Sequence, residues 1–581
     1  MKNNKNIINF KDIKEIIYYC KEEYKDKTAF VIKHQYGKNI DYENISYNRL
    51  LDDINKLGTA FYSLGLKDKK VAVIGKNRYE WIISHLANLL GGIISVPLDK
   101  DLQIGELENS LIRSNVEAIV FDTKQIDKIN EIKKQNKTNV KYFICMDNID
   151  NFENVSELLL KGERIINSGN TEYIDTKIDE NKIGILLFTS GTTSKSKAVM
   201  LSQKNIASNV YGMRCAEDIR TTDTNILFLP LHHIFASTLL IMALASGVKN
   251  VFPDGLRYIK KNLKEYQVTI FVGVPILNEA IYKAIKKEIE KQGKLKQVEI
   301  ALKICDFLHI SYKLRRIIFK QVIEGVGGHL RIVISGGAPA DKKILKAFND
   351  FGITTLQGYG LTETAPVVAV EDNINQKNGT VGKPLINEKV EIVNKDENGI
   401  GEIRVKGPNV MLGYYDMTEE TKGVLKDGWF YTGDLGYIDN EGFLVVNGRN
   451  KNMIVLKNGK KVFPEELETL VNRIDGVQEC MVFGMPDEKD KNDITISVKI
   501  VYDQNYVKEH YNNLSKDELY DVFWKQVKNI NLTFPRYKHI QKMILTDEEL
   551  IKTTTKKVKR QEEMKKMDNG TVLLSTTAKG R

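Results

Sequence analysis

The stretch LLFTSGTTSKSKAV, residues 186–199, sets Thr189, Ser190, Thr192, Thr193 and Ser194 around Gly191 and closes on Lys195 and Lys197. A glycine turn that frees backbone N–H groups, a ring of hydroxyls and two lysines suit a polyphosphate. Gly191 has no second glycine five residues on followed by Lys and Ser or Thr, so the P-loop of kinases and NTPases is excluded. Taken alone, the same residues also read as a solvated Ser/Thr turn.

Further groups with chemistry follow in order. LPLHHIFAS (229–237) places His232 and His233 before Phe235, and SGGAP (335–339) ends an apolar run on Gly336, Gly337 and Ala338. LQGYGLTETAPV (356–367) carries Glu363, YTGDLGYID (431–439) carries Asp434, and NGRNKNMIVLKNGKKVFPEELE (447–468) carries Arg449 and Lys451. IKTTTKKVKR (551–560) sets three threonines before Lys556 and Lys557. GVGGHL (325–330) precedes a strand and lacks GxGxxG spacing, which excludes a dinucleotide fingerprint.

The elements that must carry these residues are visible as patterns. KVAVIG, GIISVPL, EAIVFD, VKYFICM, IGILLF and LRIVISGG are short β-branched or apolar runs alternating with amphipathic stretches of helical spacing. That alternation predicts α/β layers with largely parallel sheets. From about residue 379, strands separated by Gly, Asn and Asp turns predict a more antiparallel subdomain. A small α+β domain follows, with strands ECMVFGMP and ITISVKIVY and helices PEELETLVNRI and KDELYDVFWKQVKNI. The expected division is 1–448 for a large N-terminal domain, 449–565 for a small mobile C-terminal domain, and 566–581 for a disordered tail. A long Lys-rich helical insertion precedes LRIVISGG.

The 581 residues carry 86 Lys and Arg against 76 Asp and Glu, a formal charge of +10. The charges are interspersed, so they read as compositional bias, attractive to anionic surfaces, and not as a nucleic-acid interface. Five scattered cysteines without CxxC spacing predict a reducing cytoplasm and no zinc site. The N-terminus lacks a signal-peptide pattern, and LANLLGGIISV and ASTLLIMALASGV fall short of the roughly 20 residues of a membrane span.

The ordered motifs resemble the adenylate-forming superfamily of acyl-CoA synthetases, nonribosomal adenylation domains and luciferases, from NISYNRL at 44–50 to Arg560. The resemblance implies attack of a carboxylate on the α-phosphorus of ATP, where negative charge accumulates and must be neutralised. Thr189, Ser190, Gly191, Thr192, Thr193 and Lys197 would grip the phosphates. Glu363 and Thr192 would hold Mg²⁺, with Thr362 beside the α-phosphate. Tyr359, within the run Gln357, Gly358, Tyr359 and Gly360, would stack on adenine, and Gly336, Gly337 and Ala338 would line its other face. Asp434 would accept the ribose hydroxyls and Arg449 would add a contact to ribose or phosphate. Lys557 would bridge carboxylate and α-phosphate, with Lys556, Lys559 and Arg560 as phosphate-attracting or solvated neighbours. His233 would approach the carboxylate, with His232 as its alternative, and Phe235 would wall the acyl pocket.

The family's second half-reaction, attack of a thiol on the acyl-AMP, implies rotation of the C-terminal domain about Lys451. NRYEW at 77–81, the insertion at 280–330 and GYGLTETAPV resemble the long-chain fatty acyl-CoA synthetase branch. That implies ATP, Mg²⁺ and CoA as cofactors or co-substrates, and peripheral contact with the inner membrane face. The alternatives are a fatty acyl-AMP ligase loading an acyl carrier protein, and a non-catalytic lipid- or nucleic-acid-binding protein on this fold. Ser194 and Ala198 stand where the family has glycine, Ser196 where it has proline, Gln203 where it often has His, and Ile551 and Lys556 where it has Pro and Gly. A Cβ at Ser194 restricts a loop that uses φ > 0.

Overall fold

The computed structural model describes residues 7–37, 39–189, 196–337, 341–372, 375–486, 494–552 and 558–568. Among them the chain builds two large mixed sheets, a smaller antiparallel one, and a separate three-stranded sheet near the C-terminus. The runs read as strands form Lys70–Ile74, Ile94–Leu98, Ala118–Phe121, Tyr142–Cys145, Ile183–Thr189 and Ile332–Ser335.

In the first large sheet the order is Gly413–Tyr414, Lys197–Ser202, Ile183–Thr189, Ile94–Leu98, Lys70–Ile74, Ala118–Phe121, Tyr142–Cys145 and Glu153–Asn154. Its centre is parallel, whereas Ile183–Thr189 and Lys197–Ser202 pair antiparallel. The second large sheet is parallel through Thr224–Ile226, Ile270–Gly273, Ile332–Ser335 and the start of Thr354–Gly360. Between the sheets lie helices Tyr79–Leu90 and Ile234–Ala245, apolar on nearly every face and buried apart from Glu80 and Phe235. The second apolar window lies mostly in Ile234–Ala245, whereas the first runs from the end of Tyr79–Leu90 into strand Ile94–Leu98. No helix among the described residues is long and apolar enough to cross a membrane.

Strands Lys389–Val393, Gly401–Lys406, Leu425–Lys426, Trp429–Ile438 and Leu444–Arg449 form the expected antiparallel sheet. The C-terminal sheet, Val477–Pro486, Ile494–Tyr502 and Lys542–Thr546, packs helices Pro464–Val471 and Lys516–Asn531 over its own core. The helix Arg560–Asp568 continues through position 566, where a disordered tail was expected to begin, because Met564 and Met567 pack against Met481, Phe483 and Leu550. The Lys-rich insertion forms Pro275–Lys291, Leu295–Phe307, Tyr312–Ile318 and Lys320–Glu324.

Candidate active site

The carboxyl ends of Ile270–Gly273, Ile332–Ser335 and Thr354–Gly360 open into one connected cavity of about 3090 Å³. Parallel sheets bind ligands at such ends, and this volume exceeds the roughly 300–1,000 Å³ of a single small-ligand pocket. Its walls include Thr189, Lys197, His233, Phe235, Gly336, Gly337, Gln357, Gly358, Tyr359, Gly360, Thr362, Glu363, Asp434, Arg449 and Lys451. Residues as far apart in sequence as Thr189 and Lys451 thus face one space. Ser190, Gly191, Thr192, Thr193, Ser194, Ala338, Lys556 and Lys557 lie outside the described residues.

On one side the strands 429–438 and 444–449 place Asp434 opposite Arg449. Arg449 Nε lies 3.1 Å from Asp434 Oδ1, and the Tyr359 hydroxyl donates to Oδ2 at 2.7 Å. Asp434 is 3% exposed. Burial first, and then the Asp434 charge, push the Tyr359 hydroxyl well above its ordinary pKa, so it stays a donor. Gly336 is required by close approach, since a Cβ there would meet the Phe235 ring at 2.8 Å. Gly337 has φ +80°, a conformation side chains avoid.

Glu363 sits on the short turn Thr362–Thr364, and its Oε1 accepts from the Tyr414 hydroxyl at 2.9 Å. Among the described residues no hydrogen bond reaches Oε2. The Lys197 ammonium lies 4.3 Å from the Tyr414 ring centroid, so a cation stands beside this carboxylate. Lys451, on the single turn Asn450–Asn452, also lines the cavity. Lost hydration, then the Arg449 and Lys197 charges, hold its pKa below the ordinary lysine value.

On the acid side His233 precedes helix Ile234–Ala245, its ring 4.1 Å from that of His232. His232 is buried, its Nε2 3.3 Å from Asp99 Oδ2, whereas His233 is half-buried. The two histidines therefore differ: one lies buried beside a carboxylate, the other is more open to the cavity. Glu217, at the C-terminus of helix Gln203–Ala216, lines the cavity with a buried Oε2 that has no hydrogen-bond partner among the described residues. Burial pushes its pKa up to about 8.

Several departures from the family pattern acquire local reasons. Thr189 and Lys197, which flank the phosphate-loop segment in sequence, pair in an antiparallel ladder, and the Thr189 hydroxyl donates to the Lys197 carbonyl at 3.1 Å. Arg113 donates to the Ser196 carbonyl at 2.8 Å and to its hydroxyl at 3.1 Å, a contact proline could make only through the carbonyl. Ala198 packs its methyl into the core beside Phe121 and Leu186. Gln203 donates to the Leu89 carbonyl at 2.6 Å and accepts from the Ile13 N–H at 3.2 Å, tying three helices together. The Ile551 N–H donates to Glu563 at 2.7 Å. Arg113, Asp99, Tyr414 and Glu217 were missed from sequence, because none stands in a motif and each reaches the cavity through folding.

Lys552 and Val558, on either side of the segment that carries Lys557, line the same cavity and bridge to each other. Arg560, expected to attract phosphate or face solvent, instead donates to Glu468 at 2.6 and 2.5 Å and to the Val482 carbonyl at 2.8 Å. A buried carboxylate beside a guanidinium wins over open water because two charge-assisted bonds satisfy both groups.

Comparison with known proteins agrees with this arrangement. The model of the AMP-binding enzyme family matches residues 19–415, and that of the AMP-binding enzyme C-terminal domain matches 451–569. Fatty acyl-CoA synthetase B of Dictyostelium discoideum is 28% identical over 473 residues, 76% of this chain and 70% of that one. A long-chain-fatty-acid–CoA ligase of Mycobacterium bovis is 26% identical over 492 residues, 80% of each chain. Among solved structures, an anthranilate CoA ligase in complex with anthranoyl-AMP superposes with TM-score 0.75 at 18% identity, over 97% of this chain and 98% of that one. ATP-bound MatB from Rhodopseudomonas palustris superposes with TM-score 0.72 at 22% identity, over 96% and 99%. With one family model spanning most of its length, and a second its C-terminal part, the chain belongs to the AMP-binding enzymes.

Proposed function

We propose that the protein activates a long-chain fatty acid with ATP, releasing pyrophosphate, and transfers the acyl group from acyl-AMP to CoA with release of AMP. The observation that carries this reading is the convergence of Asp434, Arg449, Tyr359, Glu363, Lys197, His233 and Phe235 on one cavity large enough for several ligands. The relatives named as fatty acyl-CoA synthetases support the choice of acid and thiol.

In the first step a carboxylate oxygen attacks the α-phosphorus and the bond to the bridging oxygen of pyrophosphate breaks. Asp434 accepts from the ribose hydroxyls with the lone pairs that Tyr359 and Arg449 leave, and these two partners fix its orientation. Tyr359 stacks on adenine, with Gln357, Gly358 and Gly360 in its strand and Gly336, Gly337 and Ala338 on the opposite wall. Ser190, Gly191, Thr192, Thr193 and Lys197, with Thr189 at the hairpin's base, hold the leaving pyrophosphate, while Thr362 reaches the α-phosphate. Glu363, whose Oε2 receives no hydrogen bond among the described residues, and Thr192 fit a hard cation that takes its other oxygens from phosphates and water. Mg²⁺ there supplies charge neutralisation at the phosphates. Lys557 neutralises the attacking carboxylate and the α-phosphate together, His233 orients the acid, and Phe235 walls the acyl chain.

The second step needs Lys557 withdrawn, and the turn at Lys451 is the hinge about which residues 449–565 rotate against 1–448. A polar turn residue absorbs the φ/ψ change in water. The five free thiols support a reducing cytoplasm, and the acid's amphiphilic character places the enzyme against the inner membrane face. Mass spectrometry of products from ATP, palmitate and either CoA or a phosphopantetheinylated carrier protein tests the acceptor. Palmitoyl-CoA and AMP are expected with free CoA, and thioester formed only on the carrier would replace CoA by that partner.

A further inference from the structure

Nine of the large apolar side chains exposed among the described residues fall within residues 295–318. Helix Leu295–Phe307 has two apolar stripes. Val298, Ala301, Leu302 and Cys305 pack inward against the core under the second large sheet. Ile300, Ile304, Phe307 and Leu308, again at helical spacing, point outward, with Phe307 83% exposed. Helix Tyr312–Ile318 is inverted. Both of its arginines face the body: Arg315 pairs with Asp306 and Asp350, and Arg316 donates to the Leu330 carbonyl at 2.6 Å. Its apolar residues Leu314, Ile317 and Ile318 face out, with Ile317 69% exposed. An isolated surface helix in water places these classes the other way round.

The charge of the same segment says what covers it. Residues 291–320 carry eight Lys and Arg against Glu299 and Asp306, a net +6 within a chain whose total is +10. Lys296, Lys303 and Lys313 are exposed, and no ion pair or hydrogen bond holds them among the described residues. A second copy of this face would set Lys296, Lys303 and Lys313 against the same lysines. An anionic bilayer satisfies both features, taking the apolar side chains at the headgroup boundary and the lysines at its phosphates. The helices follow Pro275–Lys291, whose N-terminal residues Val274 and Leu277 line the cavity.

We propose that the outer face of helices Leu295–Phe307 and Tyr312–Ile318 docks the enzyme onto an anionic lipid bilayer. The inference gives a location to the membrane contact in the fatty-acid reading and rests on that reading for its purpose. Its test reads lipid binding alone, so each can fail without the other. Full-length protein is sedimented with phosphatidylcholine vesicles and with vesicles containing about one-third phosphatidylglycerol. Wild type binds the anionic vesicles and not the neutral ones. Combining Phe307→Glu with Ile317→Glu lowers that binding at least about tenfold, and Lys296→Glu, Lys303→Glu and Lys313→Glu together lower it about 100-fold, with thermal unfolding unchanged in both. Absence of wild-type binding, or equal binding by all three proteins, overturns the proposal. So does a wild-type dimer that Phe307→Glu converts to monomer without changing vesicle binding, which would assign the face to a second copy.

Discussion

Asp434 concentrates the argument at the residue scale. It is buried, yet Tyr359 and Arg449, which hold its carboxylate, both line the cavity, so its geometry serves a ligand more than the core. Asp434→Ala is expected to raise the KM for ATP about 10- to 100-fold, since it removes a charge-assisted ribose contact and leaves the Tyr359 hydroxyl unpaired. Steady-state kinetics with varied ATP checks this, and an unchanged KM would detach Asp434 from the nucleotide. Glu217 makes a pH prediction. Its folded pKa of about 8 lies above the ordinary 4.5, so the folded chain keeps the proton longer than the unfolded one. Stability therefore falls as pH rises from 4.5 through 8, and Glu217→Gln, which does not titrate, escapes that loss. Urea unfolding is expected to show the variant gaining at least about 1 kcal/mol on wild type between pH 5 and pH 8. A constant difference would contradict the burial of this carboxyl.

At the scale of elements, the described residues on either side of Lys557 in sequence are tied together. Glu563 on helix Arg560–Asp568 accepts from the Ile551 N–H at 2.7 Å and pairs at 3.0 Å with Lys499, and both charges are buried. Glu563→Gln alone strands the Lys499 ammonium and is expected to cost about 3–5 kcal/mol. Adding Lys499→Met restores most of the loss, because Gln still accepts from Ile551 and no charge remains buried. Urea unfolding of the single and double variants reads both outcomes. This helix also marks the limit of sequence. The β-branched runs and the motif strands were legible, since period and composition fix a strand locally. The orientation of Leu295–Phe307 and Tyr312–Ile318 was not, because a 3.6-residue period reveals a stripe and not the side on which the body lies. Nor was the role of Arg113 or Tyr414, since single residues acquire partners only when distant strands pair. For Thr192 and Thr193 the composition of the loop and the resemblance both point to phosphate, and both residues lie outside the described ones.

Across the whole molecule, the C-terminal part is clasped to the rest by Arg473 with Asp341, at 2.8 and 2.9 Å, and by Lys461 with Asp396 at 3.1 Å. In this arrangement Lys552 and Val558 face the cavity, as the adenylation step requires in the proposed cycle. Arg473→Gln loosens the clasp and spares Asp341, which caps helix Lys342–Asp350. Pyrophosphate exchange is expected to slow several-fold while conversion of supplied acyl-AMP to acyl-CoA keeps its rate. Equal loss in both half-reactions would contradict a clasp specific to the first. The central claim, that this cavity joins a fatty acid to AMP, is tested most directly by ATP–pyrophosphate exchange without CoA, over acids from acetate to palmitate, in wild type and Lys557→Ala. The account predicts exchange that depends on a long-chain acid and is lost by at least about 100-fold in the variant, with its thermal unfolding unchanged. Background exchange with every acid, or full exchange in Lys557→Ala, would contradict it.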